Sequence, residues 1–399
     1  MRVMVLGAGI YQLPLIEEIK KKGFKAIVVS PDGPYPGLDS ADEKIFIDTR
    51  NKEEILKVAK ELEIDAILTS GTDVAVPAIG YVVDQLSLKG TGYEASLKSM
   101  DKILMKKAFI DNSVLTAKFL IASTLSEVNY ACHNIGFPCM VKAIDSSGSR
   151  GISKVSNSSE IMDAYEFSLA VSNSNEVIVE EYLDGLEFGA QAFIKDGKIT
   201  DIFFHNDIVS PPPISVPIGH SIPVDLEDTL LDSAKTEIQK AVQCLQIDNT
   251  VANVDLMLVK GAVYILEVGA RIGATCIPEN ITIYTGSNVY NYLIDISAGR
   301  DTGFNANANA NTPNAALLLL SDTSGIVESI NIPKHILEDE DLIELKLDIK
   351  VGDEVSKFKV GSDRVGHLIV KGATAVSAEQ KCLRFKNEIS IVVCQSNEQ

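Results

Sequence analysis

Over its first 90 residues the chain alternates short apolar runs with helical patterns, and that rhythm admits few architectures. Val3-Met4-Val5-Leu6 is a continuous apolar run, Gly7-Ala8-Gly9 a turn, and Leu13 to Lys22 a helical pattern stopped by Gly23. Ala26 to Val29, Lys44 to Ile47 and Ala66 to Thr69 repeat the strand signal, with a Pro/Gly loop from Pro31 to Gly37 and a helical stretch from Lys52 to Leu62. Strands apolar on both faces and separated by helix-length spacers belong to βα units, because only helices on either side of a parallel sheet cover both faces.

Residues 1–95 are therefore expected to form a Rossmann-like domain. From Lys98 the texture changes to longer helices mixed with isolated alternating strands, as in Glu176 to Glu180, Glu187 to Ile194, Ala252 to Leu258 and Val263 to Val268, which is an α+β pattern. The run of alternating Asn and Ala from Asn305 to Asn311 has little to bury and reads as a surface loop before a small β-rich tail. The expected division is 1–95, 96–300 and 301–399.

Charge narrows the class of partner. Lys and Arg number 36 against 55 Asp and Glu, a formal charge of −19, and such a surface repels nucleic-acid phosphates and anionic lipid. An anionic substrate must then be drawn in by a local cluster of cations and backbone amides. The six cysteines form no C-x-x-C pair and read as free thiols of a reducing compartment. No apolar run approaches the ~20 residues of a membrane span, and Met1 to Leu6 runs straight into a strand pattern rather than a leader. The cytoplasm is the expected location.

Gly7-Ala8-Gly9 after a first strand resembles a dinucleotide turn, but Gln12 stands where G-x-G-x-x-G needs its third glycine, so a tight turn feeding a helix is the better reading. No Walker lysine motif occurs. A stronger signal is Met140-Val141-Lys142-Ala143 followed by Asp145-Ser146-Ser147-Gly148-Ser149-Arg150-Gly151. It sets one lysine beside a small-residue loop whose amides and hydroxyls can close over phosphates while Lys142 and Arg150 neutralise them. Upstream, Ser99-Met100-Asp101-Lys102 puts a lysine at a helix start; downstream, Val177 to Leu183 is a strand ending in an acidic, aromatic hinge, with Glu187 beyond. Asn253-Val254-Asp255 and Ile265-Leu266-Glu267-Val268-Gly269-Ala270-Arg271 end two neighbouring strand patterns with carboxylates.

Each piece alone is ordinary, but in this order over about 300 residues the set resembles the ATP-grasp superfamily, including L-amino-acid ligases, phosphoribosylglycinamide synthetase, carbamoyl-phosphate synthetase and biotin carboxylase. The resemblance implies a Rossmann-like pre-ATP-grasp domain, an ATP-grasp domain with a mobile lid over about 112–182, and a small β-rich C-terminal domain. It implies ATP as cofactor, with Lys102 and Lys142 on its phosphates and Ser146, Ser147, Gly148 and Gly151 in a glycine-rich flap. Glu180, Glu181, Tyr182 and Leu183 would form the adenine hinge, Glu187 would hold the ribose, and Met140, Met257 and Leu266 would wall the base. Asp255 and Glu267 match metal carboxylates for magnesium, with manganese as an alternative. Arg271 matches the arginine that steadies the transferred phosphoryl group, with Lys142 and Arg150 as its catalytic companions. Two departures stand out: Gly269 replaces the asparagine many relatives carry, and Asp255 is one methylene shorter than the commoner glutamate.

On the substrate side, relatives place a segment similar to Gly219-His220-Ser221-Ile222-Pro223 near the acceptor pocket, which implicates His220 beside Arg271 and Gly273. The expected activity is ATP-dependent ligation of a small-molecule carboxylate to an amine through an acyl phosphate, releasing ADP and phosphate, with an amino acid or a phosphoribosylamine-like compound as substrate. Bicarbonate activation and a non-catalytic ATP-binding module are the alternatives. No nucleic-acid or membrane partner is expected, and the resemblance admits a homodimer.

Overall fold

The computed structural model describes all residues except 146–149, 212–213, 215, 301–302, 305–309 and 395–399. The first sheet is wholly parallel, in the order β3 (Glu43–Phe46), β2 (Lys25–Ser30), β1 (Arg2–Leu6), β4 (Ala66–Leu68). β1 and β4 are buried almost throughout, as apolar runs flanked by helices must be. The turn after β1 holds no open cradle. Gly7 lies at φ +95°, and the Gln12 side chain folds back into the turn, accepting from Gly9 N at 2.9 Å and donating to the Ser70 carbonyl.

A second sheet carries the middle of the chain and is antiparallel, in the order β5 (Phe119–Ala122), β8 (Val177–Glu181), β6 (Cys139–Ala143), β7 (Ile152–Val155). The helices Leu125–Ile135 and Ile161–Leu169 cover one face and share an apolar core with it. Thr124 opens the first of them with a reciprocal capping box to Glu127.

The third sheet is the largest, with eight antiparallel strands: β13 (Ala262–Gly269), β12 (Thr250–Val259), β9 (Leu186–Lys195), β10 (Lys198–Val209), β11 (Pro217–Ile222), β14 (Asn314–Leu319), β18 (Gly366–Lys371) and β16 (Leu342–Leu347). Strands from beyond residue 300 thus continue the central sheet instead of pairing only among themselves, and so satisfy the free edge of β11. Among the described residues beyond 300, β15 (Gly325–Asn331), β17 (Glu354–Val355) and β19 (Ser390–Cys394) make a separate sheet. The N-terminal sheet and the central one share a core in which Leu15, Ile16 and Ile19 meet Phe193, Ile222 and Tyr292. Among the described residues, no helix is long and apolar enough to cross a membrane.

Candidate active site

Side chains two apart on a strand share a face, so the register fixes which residues converge. Asp255 pairs with Glu267 and with Gly189, Asn253 with Gln191, Met257 with Glu187, Gly189 with His205, and Asp207 with His220. One face of five strands therefore carries Asn253, Asp255, Met257, Glu267, Glu187, Gln191, His205, Asp207 and His220. A bulge helps: Asp255 faces Glu267 while Leu256 faces Ile265, which leaves Leu266 as the extra residue and sets the two acids directly opposite.

The cations come from elsewhere. Lys102 begins the helix Lys102–Asp111, capped by Asp101, which accepts from Ile103 N and Leu104 N. Its Nζ lies 3.3 Å from Glu267 Oε1. Lys142, on β6, donates to Glu180 Oε2 at 2.6 Å and also feels the charges of Glu267 and Glu187. Arg271 follows β13, feels Asp255 and Glu267, and is bonded through Nη2 to Asp73 Oδ2 at 2.7 Å. Segments distant in the chain thus bring Lys142, Glu267 and Arg271 to one place.

Glu180, expected in the hinge, has its carboxylate paired with two lysines. Its carboxylate is buried between Lys142 and Lys106, whose Nζ lies 3.3 Å from Oε1. Burial works against the charge, but the two lysines outweigh it and hold the carboxyl at about 2. The side chain is thus committed to the lysines. Lys106 escaped the sequence reading, although it lies four residues beyond Lys102 and so on the same helix face. It also donates to the Thr116 hydroxyl at 2.6 Å, and burial lowers its affinity for its proton.

The remaining hinge and wall residues lie nearby. Leu183 is buried; Glu181, Tyr182, Met140, Met257 and Leu266 are half-buried, and Lys154 sits 3.7 Å over the Tyr182 ring. Arg150 and Glu187 are exposed. Ser146, Ser147 and Gly148 lie outside the described residues. Gly151 is buried at φ +68°, its carbonyl accepts from Ala143 N, and a Cβ would meet Val171 at 2.4 Å. Its place is structural, at the close of the hairpin.

A hydrogen-bonded chain organises the other flank. Gly273 N donates to Gln191 Oε1 at 2.9 Å, so the amide nitrogen of Gln191 must face Asn253 Oδ1 at 2.6 Å and His205 Nε2 at 3.2 Å. His205 therefore accepts at Nε2 and donates from Nδ1 to Asp207 at 2.9 Å, while His220 Nδ1 reaches the same oxygen at 2.7 Å. Burial opposes the Asp207 charge, but the two imidazoles hold its carboxyl well below the usual range. Burial lowers the pKa of His220. Asn253 continues the chain to Asp255 Oδ1 at 2.9 Å. Gly189 is obligatory beneath it, since a Cβ would lie 2.1 Å from His205 Cε1. The predicted contact Gly273 thus spends its amide on Gln191, and Asp207, Gln191 and Asp73 are residues the sequence reading did not single out.

Asp255 sits in a surplus of negative charge. Burial, then Glu267, Asp207 and Glu187, push its carboxyl up to about 8. Two opposed carboxylates in surplus negative charge form a donor set that fits a hard divalent cation.

Residues 135–279 match the ATP-grasp domain family, and residues 317–393 match L-amino acid ligase C-terminal domain 2. A phosphoribosylglycinamide synthetase from Anaerococcus prevotii is 30% identical, with a TM-score of 0.82 over 98% of this chain and 99% of its own. The chain belongs to the ATP-grasp family. An L-amino acid ligase from Bacillus licheniformis shares the ATP-grasp fold over 99% of both chains at a TM-score of 0.85 and 17% identity. A formate-dependent phosphoribosylglycinamide formyltransferase of Bacteroides fragilis is 26% identical over 46% of this ATP-grasp chain and 48% of its own length, so the match spans about half of that relative.

Proposed function

We propose that the protein is an ADP-forming carboxylate–amine ligase. The observation that carries this reading is the convergence of Lys102, Lys142 and Arg271 on the opposed acids Asp255 and Glu267. Phosphoryl transfer asks chiefly for positioning and charge neutralisation, which such a set supplies without a protein nucleophile. Lys102 and Lys142 bind the triphosphate, and Arg271 and Arg150 steady the transferred group. Asp255 and Glu267 would hold magnesium, or manganese in its place, which when bound neutralises phosphate charge.

A substrate carboxylate oxygen attacks the γ-phosphorus as the bond to the ADP oxygen breaks, giving an acyl phosphate. The amine then attacks the acyl carbon, phosphate leaves with the bonding electron pair, and the nitrogen loses a proton. His220, oriented by Asp207, faces the same side of the sheet and is assigned to the acceptor end. Amino acids and phosphoribosylamine-like compounds are the substrate classes in keeping with the relatives. The reading places the protein in the cytoplasm and admits a homodimer, with a division near residue 95 between the N-terminal unit and the ATP-grasp domain.

ADP release over a panel of carboxylates and amines tests it. Turnover that needs both an acid and an amine, and that Lys142→Ala abolishes, is expected. Release with bicarbonate alone, or undiminished turnover in Lys142→Ala, would overturn it.

A further inference from the structure

A Cβ built on Gly269 would lie 3.1 Å from Asp73 Oδ1 and 3.7 Å from Arg271 Cζ. The space a side chain at position 269 would fill is where Asp73 and Arg271 meet, and both of their side chains are 15% exposed. Asp73 arrives from the N-terminal unit, on the loop after β4. That loop is fastened independently. Gly71 N donates to the Ile272 carbonyl at 3.2 Å, and at φ +61° Gly71 presses against Tyr11 and Ala274, where a Cβ would lie 2.8 Å and 3.1 Å from theirs.

Asn253 N donates to the Arg271 carbonyl at 3.0 Å, which sets Arg271 beside the end of the ladder that carries the opposed Asp255 and Glu267, whose charges it feels. A guanidinium beside two carboxylates forms forked pairs readily, and such a pair would fill the oxygen sites a divalent ion needs. A third carboxylate at 2.7 Å takes the guanidinium instead.

We propose that Asp73 is a positioning residue that holds Arg271 off Asp255 and Glu267 and so keeps those two acids open to a divalent ion. Gly269 supplies the room for it. The inference rests on the metal role given to Asp255 and Glu267 above. It lets the N-terminal unit govern ion binding without supplying a ligand.

The test is direct Mn2+ binding to the full chain, followed by electron paramagnetic resonance with a non-hydrolysable ATP analogue present. Removing a residue that orients a metal site commonly costs about 10–100-fold in affinity, and Asp73→Asn should weaken Mn2+ binding by at least about tenfold. Asp73→Glu should keep most of the affinity. The double variant Asp73→Asn/Arg271→Gln should return to within a few-fold of Arg271→Gln alone, because no released guanidinium is left to compete. Should Asp73→Asn fail to fold, Gly269→Ala, whose methyl crowds Asp73, carries the same comparison with and without Arg271→Gln.

Wild-type affinity in Asp73→Asn, or a double variant as weak as Asp73→Asn, overturns the inference. Glu267→Gln separates the two claims. Mn2+ binding lost in Glu267→Gln but intact in Asp73→Asn overturns the inference alone, whereas Mn2+ binding indifferent to Glu267→Gln overturns the metal assignment and the inference together.

Discussion

Replacing Glu180 by glutamine keeps the shape of the side chain and removes the charge on which Lys106 depends. The Lys106 side chain is 2% exposed; its Nζ has Glu180 Oε1 at 3.3 Å and the Thr116 hydroxyl at 2.6 Å. The cost follows from the carboxylate's own proton affinity. Its fall from 4.5 to about 2 corresponds to about 3 kcal/mol, at about 1.4 kcal/mol per tenfold change. Removing one partner from a buried pair costs about 3–5 kcal/mol by general experience, and the two routes agree. Glu180→Gln should therefore lose about 3 kcal/mol at neutral pH in urea unfolding followed by far-ultraviolet circular dichroism without nucleotide. Lys106→Met should cost less, on the order of 1 kcal/mol, because an apolar chain of similar volume replaces the lysine and Glu180 keeps Lys142 at 2.6 Å. The pH dependence has a definite sign. A carboxyl whose folded pKa is depressed contributes stability above its unfolded value of about 4.5 and loses it as pH falls toward 2. The gap between wild type and Glu180→Gln should accordingly be full at pH 7 and close below pH 4.5. A Glu180→Gln protein within 1 kcal/mol of wild type at pH 7, or a Lys106→Met protein less stable than Glu180→Gln, would refute the reasoning.

Three further outcomes are expected. Because Asp255 keeps its proton up to about pH 8 without metal, Mn2+ affinity should climb as pH rises from 6 and level off above about 8; a flat profile in a paramagnetic-resonance titration would contradict the crowding of carboxylates around it. Gly189→Ala places a methyl inside the His205 ring and should cost about 1–3 kcal/mol in urea unfolding, with the downfield imidazole N–H resonance of His205 lost; retention of that resonance would show that the ring can move aside. Lys102→Ala removes the partner 3.3 Å from Glu267 and, on the proposed reading, a cation that binds phosphate, so kcat for ADP release should fall about 10²–10³-fold, and a change in KM alone would mean that the lysine acts only in ground-state binding.

What the chain reveals when read as letters follows the reach of its periodicities. The apolar runs at Val3–Leu6 and Ala66–Leu68 announce parallel strands because a strand buried on both faces has no polar position to alternate with. Asp255 and Glu267 stood out as carboxylates within two neighbouring strand patterns, and the hairpin that joins those strands through Lys260 and Gly261 sets the two acids opposite each other. Local spacing carries that much. It does not say that β14, β16 and β18 would continue the sheet begun at Leu186, because a strand's two faces are written in its sequence but its neighbour is not. Glu180 was visible as an acid ending a strand, yet whether it met a ligand or two lysines depended on Lys106, 74 residues earlier on a helix whose side-chain pattern marks no single apolar stripe.

Asp73 marks the limit most clearly. Nothing around Ser70-Gly71-Thr72-Asp73 distinguishes that aspartate from any acid in a polar loop, and its partner lies 198 residues away. The one written sign is negative: Gly269, a departure from the motif that the rest of the segment resembles. On the sequence alone it is a departure that puts a metal contact in doubt, whereas in the fold a Cβ there would lie 3.1 Å from Asp73 Oδ1 and 3.7 Å from Arg271 Cζ. A missing side chain acquires meaning only from what fills the space. The sequence can therefore point to position 269 as unusual, but the choice between a weakened site and a rebuilt one rests on the 3.1 Å from that absent Cβ to Asp73, and Mn2+ affinity in Asp73→Asn is the measurement that decides it.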